Sequence, residues 1–117
     1  GTGFVCPGRK CMEVKQVGTE VKLHVMPSAP TDRYVPSADR LLTSAAVFGS
    51  RCIGVILTGM GDDGVAGARA IKDAGGTVIA ESHETAVVNG MPGAVVRAGL
   101  ATEVLPLPAI GDYLATL

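Results

Sequence analysis

Residues 53–64 read Ile-Gly-Val-Ile-Leu-Thr-Gly-Met-Gly-Asp-Asp-Gly, an apolar run followed by a glycine-rich turn. Such a run is typical of a strand that is covered on both faces, as the strands of parallel sheets are. After the turn, alanines and one isoleucine recur at helical spacing over 66–74, and Gly75 and Gly76 can end that helix. A second apolar run follows at 77–80. The segment therefore predicts a strand, a crossover helix and a second strand parallel to the first.

The same alternation of strand and helix continues toward the C-terminus. Pro92 fits the first turn of a helix that Gly99 can end, and residues 102–105 predict a third strand before a last helix after Pro108. Strands and helices that take turns favour a largely parallel sheet with right-handed crossovers and helices on both faces. We therefore predict an α/β fold that is part of a doubly wound, largely parallel sheet flanked by helices.

The N-terminal third has the pattern of antiparallel strands. Apolar and polar residues alternate over 11–16 and 21–26, on either side of a turn at Gly18, which predicts an N-terminal antiparallel hairpin. The alternation places His24 on the more polar face of its strand, where we expect it to be exposed. The apolar residues 4–6 predict a further short strand before the hairpin.

A connector and a helix join the hairpin to the first strand of the sheet. Residues 27–36 contain three prolines, which remove backbone donors and favour an extended loop. Ser37 can cap a helix whose leucines and alanines recur at helical spacing, and Gly49 can end it. A chain of 117 residues has the length of one domain, so we assign residues 1–117 to a single domain.

The composition indicates a globular chain without a nucleic-acid partner. Apolar residues make up 47% of the chain and the formal net charge is -1, which argues against disorder. The 10 basic residues are scattered and aromatic residues are only 3%, so the chain offers neither a phosphate-binding patch nor a stacking surface. No apolar run approaches the roughly 18 residues of a membrane span, and no apolar leader opens the chain. We therefore predict a cytoplasmic protein without membrane insertion.

The cysteines predict neither a disulfide framework nor a metal site. Cys6, Cys11 and Cys52 form an odd set at irregular spacing, which fits a reducing compartment. A zinc site requires pairs of Cys or His ligands at close spacing, and Cys6 and Cys11 have no such partner pair nearby. We expect neither a metal nor a cofactor.

The glycine-rich turn matches a dinucleotide-binding pattern. The motif Gly59-x-Gly61-x-x-Gly64 follows a strand and opens a helix, and the acidic residue Glu81 ends the next strand. In dinucleotide-binding proteins the glycines let backbone N–H groups approach a pyrophosphate, and the acid binds the ribose. A dinucleotide-binding module is therefore one alternative function for this chain.

Two aspartates within the turn admit other interpretations. Asp62 and Asp63 occupy the variable positions of the motif, where their charges would repel a pyrophosphate. Because helix N-termini stabilise carboxylates, the two residues can be helix caps. One of them can also project from the carboxyl end of the strand and orient a catalytic histidine. Spacing alone does not decide among nucleotide binding, capping and catalysis.

Taken with Gly67, residues 58–64 resemble the TGMGxDGxxG signature of CheB-type protein-glutamate methylesterases. Four further segments resemble segments of that family in the same order and at similar intervals. They are Val-Cys-Pro-Gly at 5–8, Pro-Ser-Ala-Asp at 36–39, Thr-Ala-Val-Val-Asn-Gly-Met-Pro at 85–92 and Glu-Val-Leu-Pro-Leu at 103–107. The resemblance therefore covers nearly the whole chain.

The resemblance implies a serine hydrolase with a doubly wound α/β sheet. Members of the family remove methyl esters from glutamates on chemoreceptors, and many also deamidate receptor glutamines. Asp63 matches the third member of the catalytic triad, which holds the histidine in the required tautomer and stabilises its imidazolium. Met60 matches a residue beside the oxyanion pocket, and Gly61 adjoins it. The implied partners are the methylated cytoplasmic helices of chemoreceptors, and regulation by a phosphorylated receiver domain is left open.

The sequence departs from the family pattern in its catalytic residues. The family's nucleophile lies in a GASTGG-like segment and its base in a QHMP-like segment, and both would lie upstream of Gly1. The segment His24–Pro27 resembles the base motif only superficially, and we expect His83 to be a solvated loop residue. Asn89 replaces an aromatic residue of the family. No serine lies in a Gly-x-Ser-x-Gly turn.

These departures set the expectation for function. We predict that the chain is the C-terminal portion of a methylesterase catalytic domain that supplies the triad aspartate only, and that it is inactive in isolation. Half of a sheet leaves an edge strand uncovered, so we also predict either self-association or association with the N-terminal half of the domain. A non-catalytic interaction protein is the remaining alternative.

Overall fold

The fold combines an antiparallel hairpin with a parallel sheet and four α-helices. A computed structural model describes all residues, 1–117. In chain order the elements are β1 (Lys10–Val17), β2 (Glu20–Pro27), α1 (Ala38–Ala45), a 3₁₀ segment (Ala46–Arg51), β3 (Ile53–Ile56), α2 (Val65–Asp73), β4 (Thr77–Glu81), α3 (Met91–Arg97), β5 (Glu103–Leu105) and α4 (Leu107–Ala115). The predicted α/β fold with an N-terminal hairpin is confirmed. None of the helices has the length and hydrophobicity that a membrane crossing requires.

The parallel sheet contains three strands in the order β3-β4-β5. In the register of the sheet, Ile53 lies opposite Thr77 and Ile79 lies opposite Glu103. The central strand β4 is covered on both faces, since Val78 and Ile79 have no exposed surface. This burial explains its continuous apolar sequence. Strand β3 pairs only with β4 within this chain, so its other edge has no strand partner here.

The hairpin packs against α1 mainly through β1. Cys11 and Met12 of β1 are buried, and the amide of Val14 donates a 2.9 Å hydrogen bond to Ser44 Oγ in α1. His24 on β2 is exposed, as predicted. The predicted strand at residues 4–6 is wrong, because this segment pairs with no other strand and the side chains of Phe4 and Val5 are exposed.

Helices α1 and α2 approach closely at a glycine. A Cβ atom placed on Gly67 would lie 2.5 Å from Leu42 Cβ and 3.3 Å from Asp39 Cα, both in the first two turns of α1. Neither atom is the end of a flexible side chain, so no rotamer change can make room. Gly67 therefore sets the distance between the N-terminal halves of the two helices.

We expect Gly67→Ala to lower the free energy of unfolding by about 2 kcal/mol, because the added methyl group forces α1 away from α2. Urea denaturation measures the change. Gly111→Ala is the matched control, since Gly111 also lies inside a helix but a Cβ atom added to it would meet nothing within 4 Å. That control should be stabilised by about 0.5–1 kcal/mol, the usual gain of Ala over Gly in a helix. Equal effects of the two substitutions would contradict the close approach.

An ion pair holds the proline-rich connector against α1. Asp32 Oδ2 accepts from the Ala29 amide at 2.6 Å and from Arg40 Nη1 at 2.7 Å. Arg40 also reaches Glu13 of the hairpin at 3.3 Å, so its guanidinium joins the connector, the hairpin and the helix. The Ala29 amide and, next among the favourable contacts, the Arg40 guanidinium hold the pKa of the Asp32 carboxyl below its ordinary value of 3.8, although partial burial opposes the shift.

This lowered pKa predicts a pH-dependent contribution to stability. A carboxyl whose folded-state pKa is depressed stabilises the protein above its unfolded pKa and loses that contribution as the pH falls through the folded value. The difference in unfolding free energy between wild type and Asp32→Asn should therefore be full at neutral pH and shrink below pH 3.8. Denaturation titrations of both proteins at several pH values measure it. In an Arg40→Leu background a smaller shrinkage should persist, because the Ala29 amide still donates. A difference that is independent of pH would refute the assignment.

Candidate active site

The glycine-rich turn lies at the carboxyl end of β3, between β3 and α2. Its conformation requires glycine at two positions, since φ is 92° at Gly61 and 113° at Gly64. The turn pairs with the segment that leads into α3. The amide of Gly59 donates to the Val88 carbonyl at 3.0 Å, and the Gly59 carbonyl accepts from the amides of Gly90 and Met91 at 3.1 and 2.8 Å. Two loops at the same edge of the sheet thus form one surface.

Asp63 is buried in this turn and binds the N-terminus of a neighbouring helix. The residue is 5% exposed. Its Oδ2 accepts from the Ala38 amide at 2.7 Å, while its Oδ1 accepts from the Asp39 amide at 2.9 Å and from Ser37 Oγ at 3.4 Å. The first amides of a helix have no partner within the helix, so they are available as donors to a carboxylate. The three bonds fix the direction of the Asp63 carboxylate.

The capping interpretation of the two aspartates therefore needs correction. Neither of them caps the helix that follows it, because the N-cap residue of α2 is Gly64, which has no side chain to accept a hydrogen bond. Asp63 instead caps α1, whose N-cap residue Ser37 also accepts from the Arg40 amide, as predicted. Asp62 points to solvent, where it accepts from Tyr34 Oη at 3.1 Å and lies 3.5 Å from Arg33 Nη2. Two adjacent carboxylates thus have different environments.

A carboxylate of α1, that of Asp39, binds amides at the start of α2 in turn. Asp39 Oδ1 accepts from the amide of Gly64 at 2.9 Å and from the amide of Gly67 at 2.8 Å. Sequence reasoning did not assign a role to Asp39. The available signal was an acidic residue in the first turn of a predicted helix, but that signal does not reveal which helix the carboxylate binds.

An apolar cavity of about 450 Å³ lies against Asp63. Most of its lining is hydrophobic, including Met12, Leu41 and Met91. Surroundings of this kind strengthen electrostatic interactions relative to water. No histidine lines the cavity. His24 is exposed on the hairpin, and His83 lines a smaller cavity of about 160 Å³ elsewhere. The structure therefore brings neither histidine of this chain to Asp63.

Met60 and Gly61 form the outer part of the turn. Met60 is 83% exposed. The amides of Met60 and Gly61 donate to no other group of the chain. Gly61 also permits the close packing of Tyr34, whose Oη would lie 2.5 Å from a Cβ at this position.

Glu81 is a buried acid that joins three loops. It is 2% exposed, its Oε1 accepts from the Thr58 amide at 2.8 Å and its Oε2 accepts from Thr85 Oγ1 at 2.8 Å. Thr85 Oγ1 in turn accepts from the amide of Leu107 at 2.9 Å, at the start of α4. The dinucleotide alternative required this carboxylate to bind a ribose. Because both its oxygens bond within the protein and are closed off from solvent, the structure argues against that role.

The sequence of this chain is similar to sequences of one known protein family. Residues 1–114 match the family model described as CheB methylesterase. The chain is 47% identical over 118 residues to "Protein-glutamate methylesterase/protein-glutamine glutaminase 1" of Myxococcus xanthus. This alignment covers all of this chain and 34% of that protein. It is 47% identical over 119 residues to "Protein-glutamate methylesterase/protein-glutamine glutaminase" of Moorella thermoacetica, covering all of this chain and 28% of that protein. The chain thus spans about a third of the length of these relatives.

A solved structure has the same fold. The crystal structure of the Thermotoga maritima CheB methylesterase catalytic domain superposes with a TM-score of 0.87 and 42% sequence identity. The match covers 92% of this chain and 58% of that chain. The architecture described above is therefore shared with 58% of that solved catalytic-domain chain.

Proposed function

Because this chain belongs to the CheB methylesterase family, we propose that residues 1–117 are the C-terminal portion of a catalytic domain that hydrolyses methyl esters of chemoreceptor glutamates. The names of the relatives also support a glutaminase activity on protein glutamines. In this proposal the domain acts in the cytoplasm on the methylated cytoplasmic helices of chemoreceptors. The serine nucleophile and the histidine base come from outside residues 1–117, in the remainder of the domain.

The observation that carries this proposal is the Asp63 carboxylate. It is buried, held by three donors and placed beside an apolar cavity of about 450 Å³. A carboxylate with a fixed direction can accept the Nδ1–H of an imidazole, which leaves Nε2 free to take a proton from the serine hydroxyl. The cavity beside it is where that histidine enters.

The reaction follows from these roles. The serine oxygen attacks the ester carbonyl carbon as the histidine takes its proton, and the carbonyl oxygen becomes an oxyanion. The imidazolium then gives this proton to the departing methoxide, which leaves as methanol. Water, activated by the same histidine, hydrolyses the acyl-enzyme and releases the glutamate carboxylate. Through all the steps Asp63 orients the histidine and stabilises its positive charge.

Met60 and Gly61 are the proposed oxyanion-side residues of this chain. Their amides, which donate to no other group of the chain, lie in the turn that carries Asp63, and preorganised backbone N–H donors stabilise the negative charge that develops on a carbonyl oxygen. The edge of β3 that pairs with no strand of this chain supports the contribution of further strands from the rest of the domain, because its backbone N–H and C=O groups are available for pairing.

Methanol release from methyl-esterified receptor tests the proposal. The product of the full natural reading frame should release methanol, and the chain 1–117 alone, at the same concentration, should not. Sedimentation of the isolated chain shows in parallel whether it self-associates through its uncovered edge. Failure of the full product to release methanol, or release by residues 1–117 alone, would overturn the proposed assignment of roles.

A further inference from the structure

Two reciprocal sets of carboxylate–amide hydrogen bonds join the N-termini of α1 and α2, and this arrangement is called the exchange below. Asp63, which precedes α2, binds the first amides of α1. Asp39, in the first turn of α1, binds the amides of Gly64 and Gly67 at the start of α2. Each helix start therefore receives its acceptor from the other segment. Because free amides at a helix start attract negative charge, both halves of the exchange are favourable.

The exchange makes the direction of one carboxylate depend on the other. Asp63 is directed by the amides of Ala38 and Asp39, at 2.7 and 2.9 Å. The position of those amides relative to the turn is set by the Asp39 carboxylate, whose Oδ1 lies 2.9 Å from the Gly64 amide. Gly64 directly follows Asp63 in the chain. The Asp39 bond thus anchors the backbone next to Asp63 to the helix that holds the Asp63 side chain.

Asp39 does not itself face the apolar cavity. Asp63 and Ser37 line that cavity, and both also line, together with Asp39, a neighbouring and more polar depression. A histidine that enters the apolar cavity would therefore contact Asp63 and not Asp39. Any effect of Asp39 on the reaction is transmitted through Asp63.

We propose that Asp39 is a positioning residue of the esterase site, which holds the Asp63 carboxylate in the direction that the catalytic histidine requires. The proposal rests on the proposed function of Asp63. Loss of the Asp39 side-chain acceptor should therefore lower kcat even under conditions in which the variant is fully folded. Small displacements of catalytic groups have large effects on rate, about 10²-fold for a shift near 1 Å.

Two substitutions of Asp39 separate geometry from charge. Both amides bind the single atom Oδ1. Asparagine keeps a carbonyl oxygen at that position, so Asp39→Asn should retain kcat within about threefold, since one neutral acceptor can serve two donors. Asp39→Ala removes the acceptor and should lower kcat by roughly 10- to 100-fold with little change in KM. Both are measured by methanol release in the full natural product.

The pH profile provides a readout that folding alone does not move. A displaced Asp63 stabilises the imidazolium less, so the histidine pKa falls and the acidic limb of kcat/KM should shift to lower pH in Asp39→Ala. Ser44→Ala is the matched control. Ser44 lies on the same helix and accepts from the Val14 amide at 2.9 Å, so its loss weakens the docking of α1 without touching the exchange. That control should keep the wild-type kcat and pH profile.

The outcomes are distinguishable. A wild type that releases no methanol would refute the proposed function itself. An active wild type whose Asp39→Ala variant keeps kcat and the acidic limb unchanged would overturn the positioning role, as would an Asp39→Asn variant as impaired as Asp39→Ala. If Asp39→Ala does not fold, Asp39→Glu replaces it, because its extra methylene displaces the accepting oxygen but keeps the charge. Wild-type kcat and pH profile in Asp39→Glu would then overturn the inference.

Discussion

Asp63→Asn should lower kcat for methyl-ester hydrolysis by about 10³- to 10⁴-fold in the full natural product, the usual effect of replacing a triad aspartate. An amide presents only one acceptor oxygen. Its NH₂ group cannot accept the imidazole N–H and favours the wrong tautomer of the histidine. Because the effect arises from the direction of a proton, substrate binding should change little and the loss should appear in kcat. Methanol release under saturating methylated receptor measures it.

The same substitution should also destabilise the fold. Asp63 uses both carboxylate oxygens to bind the start of α1, so asparagine must place its NH₂ group against one backbone N–H. Loss of a hydrogen bond to a buried charged group costs about 1.5–3 kcal/mol. Denaturation in urea measures this part separately, and kcat must be compared at a temperature where both proteins are folded.

Asp62→Asn is the matched control for Asp63. The two residues are neighbours of identical chemistry, but Asp62 is exposed and contacts only Tyr34 and Arg33 at the surface. Its substitution should leave kcat within about threefold and stability within about 0.5 kcal/mol, as is usual for surface positions. Equal losses at both positions, or none at Asp63, would show that the buried carboxylate does not act as the triad acid.

Gly90→Ala should be the most damaging of the small substitutions outside the triad. A Cβ atom at this position would lie 2.7 Å from the Gly59 carbonyl oxygen, 3.0 Å from the Gly61 nitrogen and 3.1 Å from Met60 Cα. All three are backbone atoms of the turn that carries Asp63, so the turn itself must move. We expect a loss of about 3 kcal/mol in stability, at the upper end for overpacking. Displacement of the turn should also lower kcat by on the order of 10²-fold.

Gly93→Ala tests whether any added methyl group in this region has the same effect. Gly93 lies in α3, the helix that Gly90 precedes as its N-cap residue. The atoms nearest to a Cβ added to Gly93 are side-chain ends of Arg97 and Asn89, both at 3.1 Å. These groups can rotate away, and alanine favours the helix, so stability should change by less than about 1 kcal/mol. A Gly93→Ala variant as unstable and inactive as Gly90→Ala would mean that the backbone contact with the turn is not the cause.

Three acidic side chains hold the two ends of the glycine-rich turn in place. Glu81 ties the start of the turn at Thr58 to Thr85, and Thr85 binds the start of α4 at Leu107. Asp63 and Asp39 tie the end of the same turn to α1. Both ends of the turn are therefore held by carboxylates that bond to backbone amides. Such support is what a catalytic group requires to keep its direction.

Much of the fold could be predicted from local patterns. The apolar runs at 53–57 and 77–80 form β3 and β4, and the alternation around Gly18 forms the hairpin. The apolar character of residues 4–6 predicts a strand, but a strand also requires a partner, and none is present there. Strand β2 shows likewise that a local pattern predicts a strand but not whether its apolar face is covered. Its alternation is correct, yet Val21 and Val25 remain 58% and 45% exposed.

The sequence by itself determined the order of strands and helices, the hairpin, the Ser37 cap and, through its resemblance to a family, the candidate role of Asp63. The elements and the cap depend on residues that are close in sequence, because periodicity and turn chemistry act within one segment. Only the tertiary structure decided what each acid binds. Asp63 binds amides 25 and 24 positions away, Glu81 binds an amide 23 positions away, and Asp39 binds the start of another helix. Which amide each acid binds depends on how separate segments pack together, as α1 and α2 do at Gly67. A local sequence pattern does not contain this information.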